Sequence, residues 1–192
     1  MRILVVSCSL NPASNSFVLA QHVSADLRAA GAEVDLLDLR EHALPVCDGE
    51  TCTNPSVVGL TARLEAADAI LLAAPIYNFD VNAAAKNLVE HTGSAWEGKL
   101  VGFLAAAGGQ ASYMSLMPLA NSLMLDFRCL IVPRFVYATG GDFADGRVTS
   151  AKIAGRVAQL ASETLRLVTA LRSAAASGGK KCIYTPAPID PK

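Results

Sequence analysis

At 192 residues, with 52% hydrophobic and 17% charged side chains, the chain is the size of one domain with a sizeable core. A net charge of −1 supplies no broad field for nucleic acid or anionic lipid. No apolar run approaches the roughly 20 residues that cross a bilayer, and Met1-Arg2 leads into an apolar run without signal-peptide anatomy. The expectation is a cytoplasmic protein with no nucleic-acid or membrane partner.

The first strand reads as Arg2–Cys8, built on Ile3-Leu4-Val5-Val6, and it stops in a loop of hydroxyl and amide side chains. A helical pattern runs from Asn15 to Ala30, with Gly31 placed as a C-terminal cap. Strand, polar loop and helix N-terminus together form a phosphate site, because free N–H groups and the positive end of the helix dipole face the loop. Its donors are Ser9, Asn11, Ser14, Asn15 and Ser16. Without a glycine triplet or a lysine, this loop suits a terminal phosphate monoester such as that of flavin mononucleotide (FMN) better than a pyrophosphate. Ser and Asn are also ordinary loop and N-cap residues, so this segment alone leaves both readings open.

The second strand, Glu33–Asp38, is followed by a long surface connection over Arg40–Pro55 that carries Pro45, Gly49 and Pro55. Cys47 and Cys52 share it with four residues between them, which matches neither the redox C-x-x-C nor a zinc spacing. Five cysteines do not pair into a disulfide framework, and Cys8 and Cys129 read as core residues. Helix Ser56–Ala66 and strand Ala69–Ala74 come next, then the loop Pro75–Asn82 and helix Asn82–His91. Gly93–Leu100 nearly spells a nucleotide-binding loop. It fails because Leu100 stands where a magnesium-binding hydroxyl belongs, and because the segment enters a strand when it should leave one. His22, His42 and His91 are scattered, and no metal site is expected; His91 reads as a partner for a helix C-terminus.

Strand Leu100–Ala106 precedes Ala107-Gly108-Gly109-Gln110, helix Ser112–Asp126, strand Cys129–Tyr137 and helix Thr149–Arg172. Pro118 belongs in a first helical turn, which moves that helix start toward Leu116. The strands are near-continuous Val, Ile, Leu and Ala, as in parallel strands covered on both faces, so the fold class is α/β with a doubly wound sheet. Residues 1–172 form the domain, and 173–192, rich in Gly, Ala, Ser and Pro, read as a flexible tail. In such a sheet, ligands bind at the C-terminal strand ends. Three specialised loops lie there: the polar cup; Pro75, Ile76, Tyr77, Asn78 and Phe79; and Gly108, Gly109 and Gln110. Glycine permits close backbone approach, and the aromatic residues offer a wall for a flat ring.

The stretch P-I-Y-N-F-D-V-N-A-A-A-K-N-L-V-E, Pro75–Glu90, resembles the NADPH-dependent FMN reductases, with Pro75, Tyr77, Asn78, Lys86 and Asn87 in register. Ser9, Ser14 and Asn15 match that family's phosphate cup, and Gly108 and Gly109 its glycine loop. The resemblance implies a flavodoxin-like five-stranded parallel sheet of order 2-1-3-4-5, with FMN as cofactor and NADPH or NADH as co-substrate. It also implies a small-molecule electron acceptor such as a quinone, an azo compound or free flavin. Catalysis would be flavin-based, with Tyr77 a candidate for proton delivery; an electron carrier or flavin sensor is the alternative. Departures are Asn11 in place of a common arginine, the bulkier Phe79 and Asp80, and Asn82 in place of a helix-opening proline, where asparagine can serve as the N-cap. Tyr113–Phe127 is apolar on nearly every side, which predicts a homodimer or homotetramer unless the C-terminal helix covers its second face.

Overall fold

The computed structural model describes residues 1–50 and 54–177. Strands β1 (Arg2–Ser7), β2 (Glu33–Asp38), β3 (Ala69–Tyr77) and β5 (Leu100–Ala107) are parallel and lie side by side in the order β2-β1-β3-β5. The fifth position is shared by β6 (Leu130–Ile131) and β7 (Val136–Thr139), both parallel to β5. This is the flavodoxin-like order expected above. β4 (Asp80–Val81) adds a short antiparallel hairpin to β3, and β8 (Phe143–Ala144) pairs with β9 (Arg147–Val148) outside the main sheet.

The outer strand, expected as one run over Cys129–Tyr137, is broken. Leu100 and Val101 oppose Leu130 and Ile131, whereas Leu104 opposes Val136, so the outer strand carries two residues more than β5 across the break. Pro133 sits there without an N–H to give the ladder, which is why pairing stops and resumes beyond it.

Helices α1 (Asn15–Ala29) and α5 (Ala151–Ala176) cover one face of the sheet, and α2 (Pro55–Glu65), α3 (Ala83–Thr92) and α4 (Met117–Phe127) the other. Leu19, Val23, Leu27, Val157 and Leu160 pack on Ile3, Val5, Leu71 and Leu104; Leu60, Leu88, Trp96 and Leu123 pack on Leu4, Ile70 and Val101. The burial of β1, β3 and β5 on both faces explains their unbroken apolar sequence. Packing is close enough that Gly102 cannot be replaced freely: a Cβ there would lie 2.6 Å from Leu71 Cδ2.

Gly31 ends α1 with φ +83° and its N–H on the Arg28 carbonyl, the expected glycine cap. α4 begins at Met117, with Pro118 in its first turn, so the expected Ser112 start is too early; Gln110–Ser112 forms a separate short 3-10 turn. α5 runs to Ala176, past the expected domain end at Arg172; the rest of the tail, from residue 178, and Cys52 lie outside the described residues. Among the described residues no helix is long and apolar enough to cross a membrane.

Candidate active site

The cup expected after β1 is built as a helix entrance. Ser14 is the N-cap of α1, its backbone extended and its Oγ accepting from Phe17 N at 3.1 Å. Ser14 Oγ and Ser16 Oγ are 2.8 Å apart, Ser9 Oγ accepts from Asn11 N at 3.2 Å, and Asn11 Oδ1 accepts from Ala13 N at 2.9 Å. The loop therefore holds its own shape through its side chains. The N–H groups of Asn15 and Ser16, in the first helical turn, have no carbonyl to meet inside the helix and remain available to an anion.

Two further contacts fix this loop from outside. Arg40 Nη1 donates to Pro12 O at 3.1 Å while its guanidinium lies 4.3 Å from the centre of the Phe17 ring and pairs with the buried Asp38. That carboxylate bond raises the Arg40 pKa, so the clamp stays charged. On the other side, Asn82 Nδ2 donates to Cys8 O at 2.7 Å. Asn82 does occupy the N-cap position of α3, but its side chain makes no cap bond, which corrects the expected role: its amide is spent on the first loop instead.

The second loop is a hairpin. Ile76 pairs with Val81 and Tyr77 with Asp80, leaving Asn78 and Phe79 as a two-residue turn with φ of +52° and +64°. Positive φ at both central positions is the type I′ geometry, which suits Asn and strains a bulky residue such as Phe79. The strain is accepted with the ring 67% exposed at the loop tip.

The loops converge. One cavity of about 390 Å³ is lined by Ser9, Asn11, Ser14, Asn15 and Ser16 from the first loop, Pro75, Ile76 and Tyr77 from the second, and Gly108 from the third. Asn78, Phe79, Gly109 and Gln110 lie on the same loops but not on this lining. Sequence reasoning missed Ala13, Ala106, Ala107 and Gly140, which do line it. The Gly140-Gly141 pair directly after an apolar run was the readable signal for the last of these. Asp142 shapes that fourth loop: its carboxylate accepts from Thr139 N at 2.7 Å, and this bond, chiefly, holds its pKa below the usual carboxylate range.

The donor set fits FMN. Hydroxyls and amide donors at a helix N-terminus suit a phosphate dianion, while Tyr77, the alanines and Gly108, beside which a Cβ would meet nothing within 4 Å, leave room for a flat ring. No Lys, Arg, Asp or Glu lines the cavity.

Two polar side chains of α3 hold the long connection in place. Asn87 accepts from Cys47 N at 2.8 Å and donates to Pro45 O at 2.9 Å, and His91 Nε2 donates to the same carbonyl at 2.8 Å. His91 is thus a buried tether for the long connection, not a helix-dipole partner alone. Among the described residues no three of His, Cys, Asp and Glu cluster to hold a metal.

Comparison with known proteins identifies a family for this chain. The family model described as NADPH-dependent FMN reductase matches residues 1–144. An NAD(P)H-dependent FAD/FMN reductase of Geobacillus thermodenitrificans is 27% identical over 179 residues, covering 90% of this chain and 96% of that protein. An FMN-dependent NADH:quinone oxidoreductase of Shewanella loihica is 32% identical over 105 residues, covering 46% of this chain and 53% of that one. Among solved structures, RosB with bound 8-demethyl-8-formylriboflavin-5′-phosphate superposes with a TM-score of 0.76 at 14% identity, covering 100% of this chain and 94% of that one.

Proposed function

The chain belongs to the NADPH-dependent FMN reductase family, and from that premise we propose that it reduces a small quinone, azo compound or free flavin at the expense of a nicotinamide, using FMN held in the cavity between its loops. The observation that carries this reading is the convergence of the Ser/Asn cup, the Pro75–Tyr77 strand end and Gly108 on one cavity at the N-terminus of α1. When bound, FMN supplies the ring that accepts hydride and releases electrons. This chain's own part is to bind and orient it.

Ser9, Ser14, Asn15 and Ser16 would hold the phosphate, aided by the α1 dipole. Ser9 suits the task because its Oγ already accepts from Asn11 N, which leaves its own proton for a ligand. Ile76, Tyr77 and Gly108 would meet the ring, Tyr77 with its half-exposed phenol positioned to pass a proton at the mouth. Phe79 and Asn78, at the hairpin tip, would control what approaches from solvent.

We further propose that two copies pair through α4. Met117, Met124 and Leu125 on α4 and Met114 just before it are exposed, Leu125 at 73%, and α5 covers the opposite face of the sheet, leaving this patch to a partner. Because Tyr113 and Met114 follow the glycine loop, a partner seated on them would border the cavity.

The test is direct. Purified protein is loaded with FMN, and NADPH or NADH is added without oxygen, followed by quinone, azo dye or free flavin. Bleaching by nicotinamide and recovery on addition of an acceptor supports the reductase reading. A loaded protein that stays oxidised identifies an electron carrier or sensor. Light scattering at micromolar protein giving a mass near the 20.0 kDa of one chain would overturn the pairing.

A further inference from the structure

We infer that a groove at the outer edge of the sheet receives the adenosine 2′-phosphate end of NADPH. The inference rests on the reductase reading above and names where the nicotinamide donor is gripped. The groove has a volume of about 860 Å³ and opens where the outer strand breaks at Pro133. Tyr113, Arg134 and Phe135 line it on the strand side, and Arg156, Gln159 and Glu163 line it from α5.

Its aromatic wall is joined to the candidate active site. The Tyr113 ring lies 5.0 Å from Phe135 and 5.4 Å from Tyr137, centre to centre. Tyr137 donates its hydroxyl to Gly109 O at 2.6 Å, in the glycine loop next to cavity-lining Gly108. Along the chain, Phe135 and Gly140, which lines the cavity, are joined by extended strand, so about 16 Å separates groove from cavity at the usual strand rise. A dinucleotide is an elongated ligand with flat rings at both ends, and this path offers an aromatic surface at the end remote from the flavin.

Charge selects the ligand's other feature. Among the described residues neither Arg134 nor Arg156 makes an ion pair. The groove's carboxylate, Glu163, is held by Arg166 at 2.5 Å and further stabilised by nearby Arg134. The groove lining thus carries two guanidiniums, Arg134 and Arg156, against one carboxylate that Arg166 already neutralises, leaving a positive excess. Guanidinium forks bind phosphate oxygens in pairs, and tyrosine and phenylalanine faces stack on purines. NADH lacks the 2′-phosphate and gives these arginines little to hold. Such a signature is unreadable in the sequence because Arg134 and Arg156 come from a strand break and a distant helix.

The test titrates 2′,5′-ADP, the phosphate-bearing end of NADPH, into full-length FMN-loaded protein by calorimetry, with 5′-AMP as the control lacking the 2′-phosphate. Arg134→Gln and Arg156→Gln should each weaken 2′,5′-ADP by at least about tenfold and flatten its salt dependence. They should leave FMN affinity and molar mass unchanged and alter 5′-AMP little. Equal 2′,5′-ADP affinity in wild type and both variants, with FMN retained, overturns the groove assignment and leaves the reductase reading standing. Failure of the wild type to take up FMN overturns that earlier reading instead, and the dinucleotide assignment with it. A drop in molar mass in the variants would show that a second copy occupies the groove, which also overturns the proposal.

Discussion

Asn82 and Cys8, far apart in the chain, are joined by a hydrogen bond of 2.7 Å from the Asn82 side-chain amide to the Cys8 carbonyl. The Asn82 backbone N–H meanwhile bonds Pro75 O at 3.1 Å, so one buried residue ties the first loop to the second. Asn82→Ala would strand the Cys8 carbonyl in the interior and should cost roughly 1–3 kcal/mol, with weaker FMN binding because the two loops lose their common anchor. Urea unfolding and an FMN titration check this; an unchanged midpoint and affinity would show that the bond does not set the loop spacing.

Ser14→Asp separates folding from binding. Aspartate caps a helix as well as serine and favours its positive end, so α1 and the melting temperature should be preserved. A fixed negative charge at the cup should nevertheless repel the phosphate and lower FMN affinity by about tenfold or more. Retained FMN with normal affinity would remove this loop from the cofactor site.

The Arg40 clamp offers a graded test. Lysine keeps a cation beside Asp38 but lacks the fork that also reaches Pro12 O, so Arg40→Lys should mainly loosen the loop and weaken FMN several-fold. Arg40→Ala leaves the buried Asp38 unpaired. It should cost about 2 kcal/mol, below the full price of breaking a buried pair because the guanidinium is partly in water. If the lysine variant binds FMN as tightly as wild type, the clamp does not position the loop.

Phe79→Gly should stabilise the protein. Left-handed backbone costs a side-chain-bearing residue about 1–2 kcal/mol, more than the roughly 0.4–1 kcal/mol of extra unfolded-state freedom that glycine brings. Removing the exposed ring should also raise KM for flat acceptors relative to the wild type. A lower melting temperature in the glycine variant would argue that Phe79 makes contacts outweighing its strain.

Burial pushes the Cys8 thiol up to about 12 and, as the largest effect, the Cys129 thiol up to about 11. In the native protein iodoacetamide at pH 8 should label the half-buried Cys47 and spare Cys8 and Cys129, as peptide mass spectrometry would show. A pH dependence follows. Unfolded thiols ionise near 9 and the folded ones do not, so their contribution to stability is complete below about 9 and falls as pH rises toward 11–12. Urea midpoints at pH 8 and 10.5 compare the two; no decrease at the higher pH would contradict the burial argument.

The parallel sheet was legible because parallel strands buried on both faces must be apolar throughout, and Arg2–Ser7, Ala69–Tyr77 and Leu100–Ala107 show that without interruption, while the strand order came from the resemblance to the reductase family. The cup was legible too, since a helix N-terminus announces itself by residues such as Ser14 within a few positions of the strand that feeds it. What the sequence concealed depended on groups brought together from far along the chain. The amide of Asn82 looked like a local cap, yet a carbonyl on the first loop lay within its reach and competed successfully for it. Nothing in the sequence set Arg40 apart, and only the crossing of the loops brought it against Pro12 and Phe17. Pro133 was visible, but the two-residue shift it permits, and the groove that opens there, follow from pairing with β5. Hydrophobic periodicity is a property of neighbours in the chain, so it could be read directly. Hydrogen-bond partners and surface charge clusters are properties of neighbours in space, and the packed sheet decided them.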